Sequence, residues 1–267
     1  MNRALTAWKW GLGVVARSYQ TVVVLAALVA LWVFGAYEWL GTPAESSAVL
    51  MILATLWAMA QLVVATVMVG GTVAGAAKIA TTEGRHLPLR SLWSLGRKKT
   101  LATLIFCFVS LVLGWLCNAV FQWVNAHSVE VASFLTFHSE KPVSHEWIEN
   151  IYNIVEWLLW IVISGFMFSM FIAVLREGWR AAVRQSSRML AGCAFQTPFL
   201  TSLLSALVFG GLCYKITDWH PVVPPGFWDY TQVIARFSLA LFILSVGVLF
   251  WSLSLARLYV LKQDSSQ

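Results

Sequence analysis

Arg176, Arg180, Arg184 and Arg188 recur every four residues in the stretch REGWRAAVRQSSRML. On a helix, at about 100° per residue, they share one arc roughly 120° wide. Trp179, Ala182, Val183, Met189 and Leu190 fall on the opposite arc. A helix divided in this way is built to lie on a membrane surface, with guanidinium groups on lipid phosphates and its apolar arc at the acyl boundary. Arg97, Lys98 and Lys99 form a second basic group of the same kind. The chemistry offered is binding of anionic lipid headgroups, not bond making.

Other reactive residue types are thinly spread. Glu156 and Arg236 each stand a turn or two inside an apolar segment, where an ionisable group is costly unless paired or hydrated. They are expected either to form an ion pair that clamps two helices or to snorkel to the interface. Gln61, Asn118 and Gln122 are polar groups in or at the ends of apolar segments, suited to hydrogen bonds between helices. His145-Glu146-Trp147-Ile148-Glu149 has the first half of a zinc-binding H-E-x-x-H motif, but the second histidine is missing. His127, His138, Glu140 and Glu146 share that stretch and read as a solvated acidic rim, so no metal is expected. The four cysteines (Cys107, Cys117, Cys193, Cys213) form no C-x-x-C. Cys117 and Cys213 stand at comparable depth, and the sequence leaves their pairing open. No phosphate loop, nucleophile elbow or paired intramembrane carboxylate is present, so neither a catalytic residue nor a cofactor is expected.

These residues are carried by a chain that is 59% hydrophobic and 11% charged, with a mean hydropathy of +0.75. So much apolar surface calls for a bilayer as solvent. Fifteen tryptophans agree with that, since indole favours the headgroup level. The net charge of +6 sits in clusters flanking apolar runs, which points to anionic lipid and excludes nucleic acid as the expected partner. Six apolar segments approach or exceed the ~20 residues a span needs, at 19–40, 49–75, 101–124, 151–175, 197–214 and 231–257. They lack the alternation of barrel strands, so the expected fold is an all-α polytopic bundle of six transmembrane helices. The first run is too long for a signal-peptide core and is followed by no A-x-A site.

Fifteen of the eighteen Lys and Arg fall on one side of this map. The positive-inside rule then puts both termini in the cytoplasm of a bacterial inner membrane. The opposite side is acidic, with short connections that contain Pro43, Pro142, Pro221, Pro224 and Pro225. Surface-lying helices are expected at about 4–17, 87–99 and 176–192, all within one membrane domain covering 1–267. Each basic stretch precedes a pair of spans, and Trp8, Trp93 and Trp179 recur roughly every 85 to 90 residues. This is either an internal triplication in three parallel repeats or the spacing any six-helix protein with basic loops would show. Gly70, Gly71 and Gly75 supply a G-x-x-x-G for close helix packing.

The passage FSMFIAVLREGWRAAVRQSSRMLAGCAFQTPFLTSLLSAL resembles a group of bacterial six-helix membrane proteins of unknown function. That group includes the membrane domain fused to some glycerophosphodiester phosphodiesterases. The resemblance rests on Glu177, Ala181, Ala182, Ser187, Arg188 and Gly192, although Ser187-Arg188 reverses the group's usual Arg-Ser order. GRHLPLRSLWSLGRKKTLATLIF is similar to the group's earlier connection, and the likeness covers about residues 60–215. It implies a polytopic inner-membrane protein and carries over neither a catalytic residue nor the phosphodiesterase activity. The expected role is therefore a non-enzymatic membrane scaffold or complex subunit, with a protein partner or a second copy as possible company. The alternative is a transporter whose pathway is lined by Gln61, Asn118, Glu156 and Arg236. An intramembrane enzyme is a distant third.

Overall fold

Backbone polar groups in lipid must be satisfied within their own segment, and this chain does so with helices. The computed structural model describes residues 2–40, 47–139, 141–219 and 226–264. In order these form α1 (Asn2–Arg17), α2 (Tyr19–Leu40), α3 (Ala48–Thr82), α4 (Leu89–Lys98), α5 (Thr100–Ala126) and α6 (Ser128–Ser139). There follow α7 (His145–Glu177), α8 (Trp179–Phe195), α9 (Thr197–Ser205), a π turn (Ala206–Gly210), α10 (Gly211–Asp218) and α11 (Phe227–Asp264). No strand occurs among the described residues.

Five helical runs are long and apolar enough to cross a membrane: α3, α5, α7, the run Thr197–Asp218 and Tyr230–Lys262 within α11. A sixth candidate is the pair α1 and α2, bent by 80° where they meet. By itself α2 has 22 residues, which reach about 33 Å at 1.5 Å per residue. A hydrocarbon core is about 30 Å thick. The protein is an all-α, multi-pass membrane bundle.

Boundaries moved where caps, not hydropathy, decide them. Helices α3, α7 and α11 run to 35, 33 and 38 residues, well past the apolar runs that announced them. Gly178, at φ +85°, ends α7, so Arg176 closes a span instead of opening the surface helix, which occupies Trp179–Phe195 and not 176–192. Within the 125–150 connection, residues 128–139 are the helix α6, packed on α7. Asn125 bonds Asn153 at 3.5 Å and Ser128 donates to Glu149 at 2.9 Å, closing that end of the α5–α6–α7 group.

The packing order is cyclic. The three long helices α3, α7 and α11 touch one another pairwise. Each shorter span fills a groove between two of them: α2 between α11 and α3, α5 between α3 and α7, α9 between α7 and α11. Each short basic helix folds back along the long helix of the preceding pair, α4 on α3 and α8 on α7, and α1 on α11 closes the ring. A single residue joins each basic helix to its span (Ser18, Lys99 and Gln196), with N–H bonds back to Val15, Gly96 and Gly192 at 3.0, 3.1 and 3.1 Å. The tryptophans obey the same order. Trp8 donates to Thr201 of α9 at 3.0 Å, Trp93 lines a cavity with Val24 and Leu28 of α2, and Trp179 stacks on Phe106 of α5 at 5.4 Å. Helix and tryptophan alike thus recur three times in equivalent surroundings.

Close approach explains why the seams hold without a hydrophobic drive between helices in lipid. A methyl group placed on Gly71 would lie 2.3 Å from the Leu92 carbonyl oxygen, and one on Gly96 would lie 2.0 Å from that of Val67. The sequence-level G-x-x-x-G, Gly71 with Gly75, is therefore the bed of α4, while Gly70 faces Thr103 of α5. Gly11 meets Ser254 in the same manner where α1 crosses α11. Burial is concentrated at this basic end. It starts at Thr66 on α3, and the continuous core on α7 and α11 starts at Ile161 and Ala240. Phe106–Phe171 and Phe168–Trp251 ring pairs, each 4.7 Å apart, fill its centre. Toward the other end the long helices are uncovered, with Ile52, Leu56, Ile154, Trp157, Ile234 and Phe237 all exposed.

Candidate functional site

Helix α8 (WRAAVRQSSRMLAGCAF) has no acidic residue in its first turn and carries arginine at every fourth place from Arg180. Ala182, Met189, Gly192 and Cys193 are buried against the bundle. Counting about 100° per residue, Trp179, Val183 and Leu190 form a neighbouring arc, and they stay exposed. Arg180, Arg184 and Arg188 form a third arc, also exposed. One face is thus held by protein, one is apolar and uncovered, and one is basic and uncovered. The sequence merged the first two into a single apolar arc, because periodicity cannot tell lipid from protein as a neighbour.

Arg176, at the end of α7, sits with its guanidinium carbon 5.6 Å from the ring centre of Tyr259 on α11. Arg97 and Lys98 occupy the last turn of α4 and Lys99 the joint after it, all exposed. Glu177 accepts from Gln185 of α8 at 2.8 Å and from the Tyr259 hydroxyl at 2.6 Å. It therefore locks the α7–α8 corner to α11. Glu83, in the left-handed conformation at φ 52° that ends α3, plays the matching part. Arg257 of α11 reaches it at 2.5 Å, donates to the Ala80 carbonyl at 2.9 Å, and lies over the Trp10 ring of α1 at 5.7 Å. These anchors were missed in the sequence. Their signal was an acidic residue next to the last turn of a long apolar run.

The expected Glu156–Arg236 clamp does not form. Arg236 is buried and donates to the Trp219 carbonyl beyond α10, while Glu156 lies within electrostatic range of Cys117 on α5. The two charges belong to different grooves of the cycle. The ion pair formed among the described residues is Arg257–Glu83, at the basic end. Gln61 packs its amide against Gly35 of α2, its Nε2 buried without a hydrogen-bond partner, and Asn118 is exposed on α5. Three of the four residues expected to line a pathway therefore face different neighbours, and the fourth, Asn118, is exposed. A cavity of about 220 Å³ bordered by α2, α3, α7 and α11 is lined by other side chains, such as Leu25, Val29, Met68, Phe168 and Val248.

Cys117 and Cys213 are unbridged thiols, the latter donating to the Ala240 carbonyl at 3.2 Å. His127 and His138 bond the Trp123 and Phe134 carbonyls of their own helices at 2.8 and 2.9 Å. Glu149 is taken by Ser128, and Glu140 lies outside the described residues. At the basic end, α7, α8, α9 and α11 border an open cavity of about 200 Å³ whose wall includes Arg188, Lys262, Gln185, Ser169, Met189 and Leu255. Cys193 also borders it, with its sulfur 3.7 Å from the Ser169 hydroxyl. Burial pushes the Cys193 thiol above its ordinary range, against smaller opposing effects of the Ser169 hydrogen bond and the Lys262 charge. That thiol is a poor nucleophile. A search of protein families, curated proteins and solved structures finds nothing that matches this chain.

Proposed function

We propose that this protein is a non-enzymatic component of the bacterial inner membrane, a scaffold or complex subunit that gathers anionic lipid around basic helices on the cytoplasmic leaflet. The observation that carries this reading is the division of α8 into a packed face, an uncovered apolar face and an uncovered arginine face. An uncovered apolar arc beside a row of guanidinium groups suits the boundary where acyl chains meet headgroups. Helix α1 repeats the arrangement, with Leu5 and Leu12 exposed beside Lys9. Each Lys or Arg near an anionic leaflet contributes about 1 kcal/mol, so the three arginines of α8 supply about 3 kcal/mol. The positive-inside rule makes the basic end cytoplasmic and puts both termini there. A bundle of this kind offers a lipid-enriched platform for a partner subunit or a second copy. The resemblance to the bacterial six-helix membrane proteins is compatible with this role.

The test is lipid mass spectrometry of the protein extracted in native nanodiscs. Wild type should carry anionic phospholipid several-fold enriched over the bulk membrane. Replacing Arg180, Arg184 and Arg188 together by Gln should remove most of that enrichment, whereas Lys141→Gln with Lys215→Gln should leave it. Equal effects of the two sets would refute the proposal.

A further inference from the structure

We propose that the apolar slot bordered by α2, α3, α7 and α11 is the seat of one acyl chain of a bilayer phospholipid. The slot has a volume of about 220 Å³, and its walls include Leu25, Val29, Met68, Val73, Phe168 and Val248. All three long helices contribute to it, so it is not a furrow along a single lipid-facing helix. Two hydroxyls that border it are turned to their own helices. Thr72 donates to the Met68 carbonyl and Ser245 to that of Leu241, each at 2.8 Å. An apolar cavity of this kind stays dry, and one of about 150 Å³ already admits a molecule the size of benzene. Left empty, its walls would forgo the dispersion contacts that a close-packed interior makes. The solvent at hand is hydrocarbon, so a hydrocarbon chain is what fills it.

The slot has neighbours on both sides. A second cavity, of about 330 Å³, lies between α2, α3 and α4 and shares Leu25 and Met68 with the first. Methionine re-packs readily, so the partition between these two spaces is a soft one. A third, of about 250 Å³, lies between α7, α9, the π turn and α11, and shares Leu244, Val248 and Trp251 with the slot. Three apolar spaces in series suit a long, thin occupant better than a compact one. The mouth of the second cavity commits that occupant to a phospholipid. Trp93 and Arg90 of α4 border it, an indole of the kind that favours the headgroup level and a guanidinium exposed to the leaflet. A lipid whose chain enters here carries its phosphate on Arg90. Phosphatidylcholine has that phosphate just as anionic lipids do, so the seat does not depend on the enrichment proposed above.

The experiment places the full chain in nanodiscs of phosphatidylcholine, a minor fraction of which carries a diazirine midway along one acyl chain. After irradiation the adducts are mapped by peptide mass spectrometry. Phe168 and Val73 are buried side chains of the slot wall, whereas Ile52 and Leu56 are exposed on α3 far from it. Wild type should carry adducts on Phe168 and Val73 at no less than about half the level found on Ile52 and Leu56. Val29→Trp fills the slot from α2, and Val248→Trp fills it from α11. Each should lower the Phe168 and Val73 adducts at least fivefold while leaving those on Ile52 and Leu56 within twofold. The proposal falls if Ile52 and Leu56 are labelled and the two buried residues are not, or if filling the slot leaves the buried labelling unchanged. Should neither variant yield monodisperse protein, the wild-type labelling decides alone. The probe is zwitterionic, so either result leaves the anionic enrichment standing as a separate measurement, and failure of the chain seat is distinguishable from failure of the lipid-gathering role.

Discussion

The two ends of this bundle are made of similar apolar helices but are held by different neighbours. At the basic end the long helices are covered by the folded-back α1, α4 and α8, and side chains as large as Leu87, Ile172, Leu249 and Leu253 are essentially inaccessible. Over the opposite half of α3, from Ala48 to Ala65, not one residue is buried. One half is solvated by protein and the other is left for lipid or a partner. Hydropathy is high in both, so it does not predict which half is packed. What distinguishes the basic end is small residues where backbones meet, together with polar side chains that bridge helices: Ser18 and Thr21 bind the Leu87 amide and carbonyl at 2.9 and 2.7 Å.

That difference can be broken most sharply at Gly71. Gly71→Val puts branched carbons into the Leu92 carbonyl, which cannot give way without lifting α4 off α3. Overpacking of this kind costs about 3 kcal/mol or more, and the expected outcome is loss of monodisperse protein in detergent, read by size-exclusion chromatography and melting temperature. Next comes Arg257→Met, which removes the Ala80 and Glu83 hydrogen bonds and the contact with Trp10. A destabilisation of about 2 kcal/mol is expected from those losses. Because Glu83 is 71% exposed, its ion pair alone should show a coupling of at most about 1 kcal/mol in a double-mutant cycle of Arg257→Met with Glu83→Gln.

A smaller effect is expected chemically at Cys193. Its raised thiol range means that alkylation stays slower than that of a free thiol at neutral pH and accelerates only at higher pH, where the thiolate forms. Equal rates for Cys193 and glutathione across the pH range would contradict its burial. The smallest effect belongs to the uncovered half. Ile52→Ala or Leu56→Ala should change the melting temperature by no more than about 0.5 kcal/mol would. A large loss there would mean that a partner or second copy packs on this surface.

Sequence patterns located the helices well and their partners poorly. The regular arginines of α8 and the basic end of α4 were legible because a helical stripe is a local property, set by a residue and its neighbours three and four positions on. Glu156 and Arg236 were matched on depth alone, and depth says nothing about which groove a helix faces. The corner formed by Glu177, Gln185 and Tyr259 joins residues 82 positions apart, beyond any periodicity. Trp8, Trp93 and Trp179 were recognised as evenly spaced, but their equivalence appeared only when each was seen to lean on the shorter span of the preceding pair.

By itself, then, the sequence determined the solvent, the helical class and the segregation of positive charge to one end. Each of those follows from the free energy of moving short stretches of chain between water and lipid, and such terms add along the chain. The tertiary structure decided the cyclic order of the helices, the break at Gly178, the bed of glycines under α4, and the cavity bordered by α7, α8, α9 and α11. Inside lipid there is little hydrophobic force to choose among helix partners, so shape and a few polar bonds make that choice. Those exist only once the helices have met.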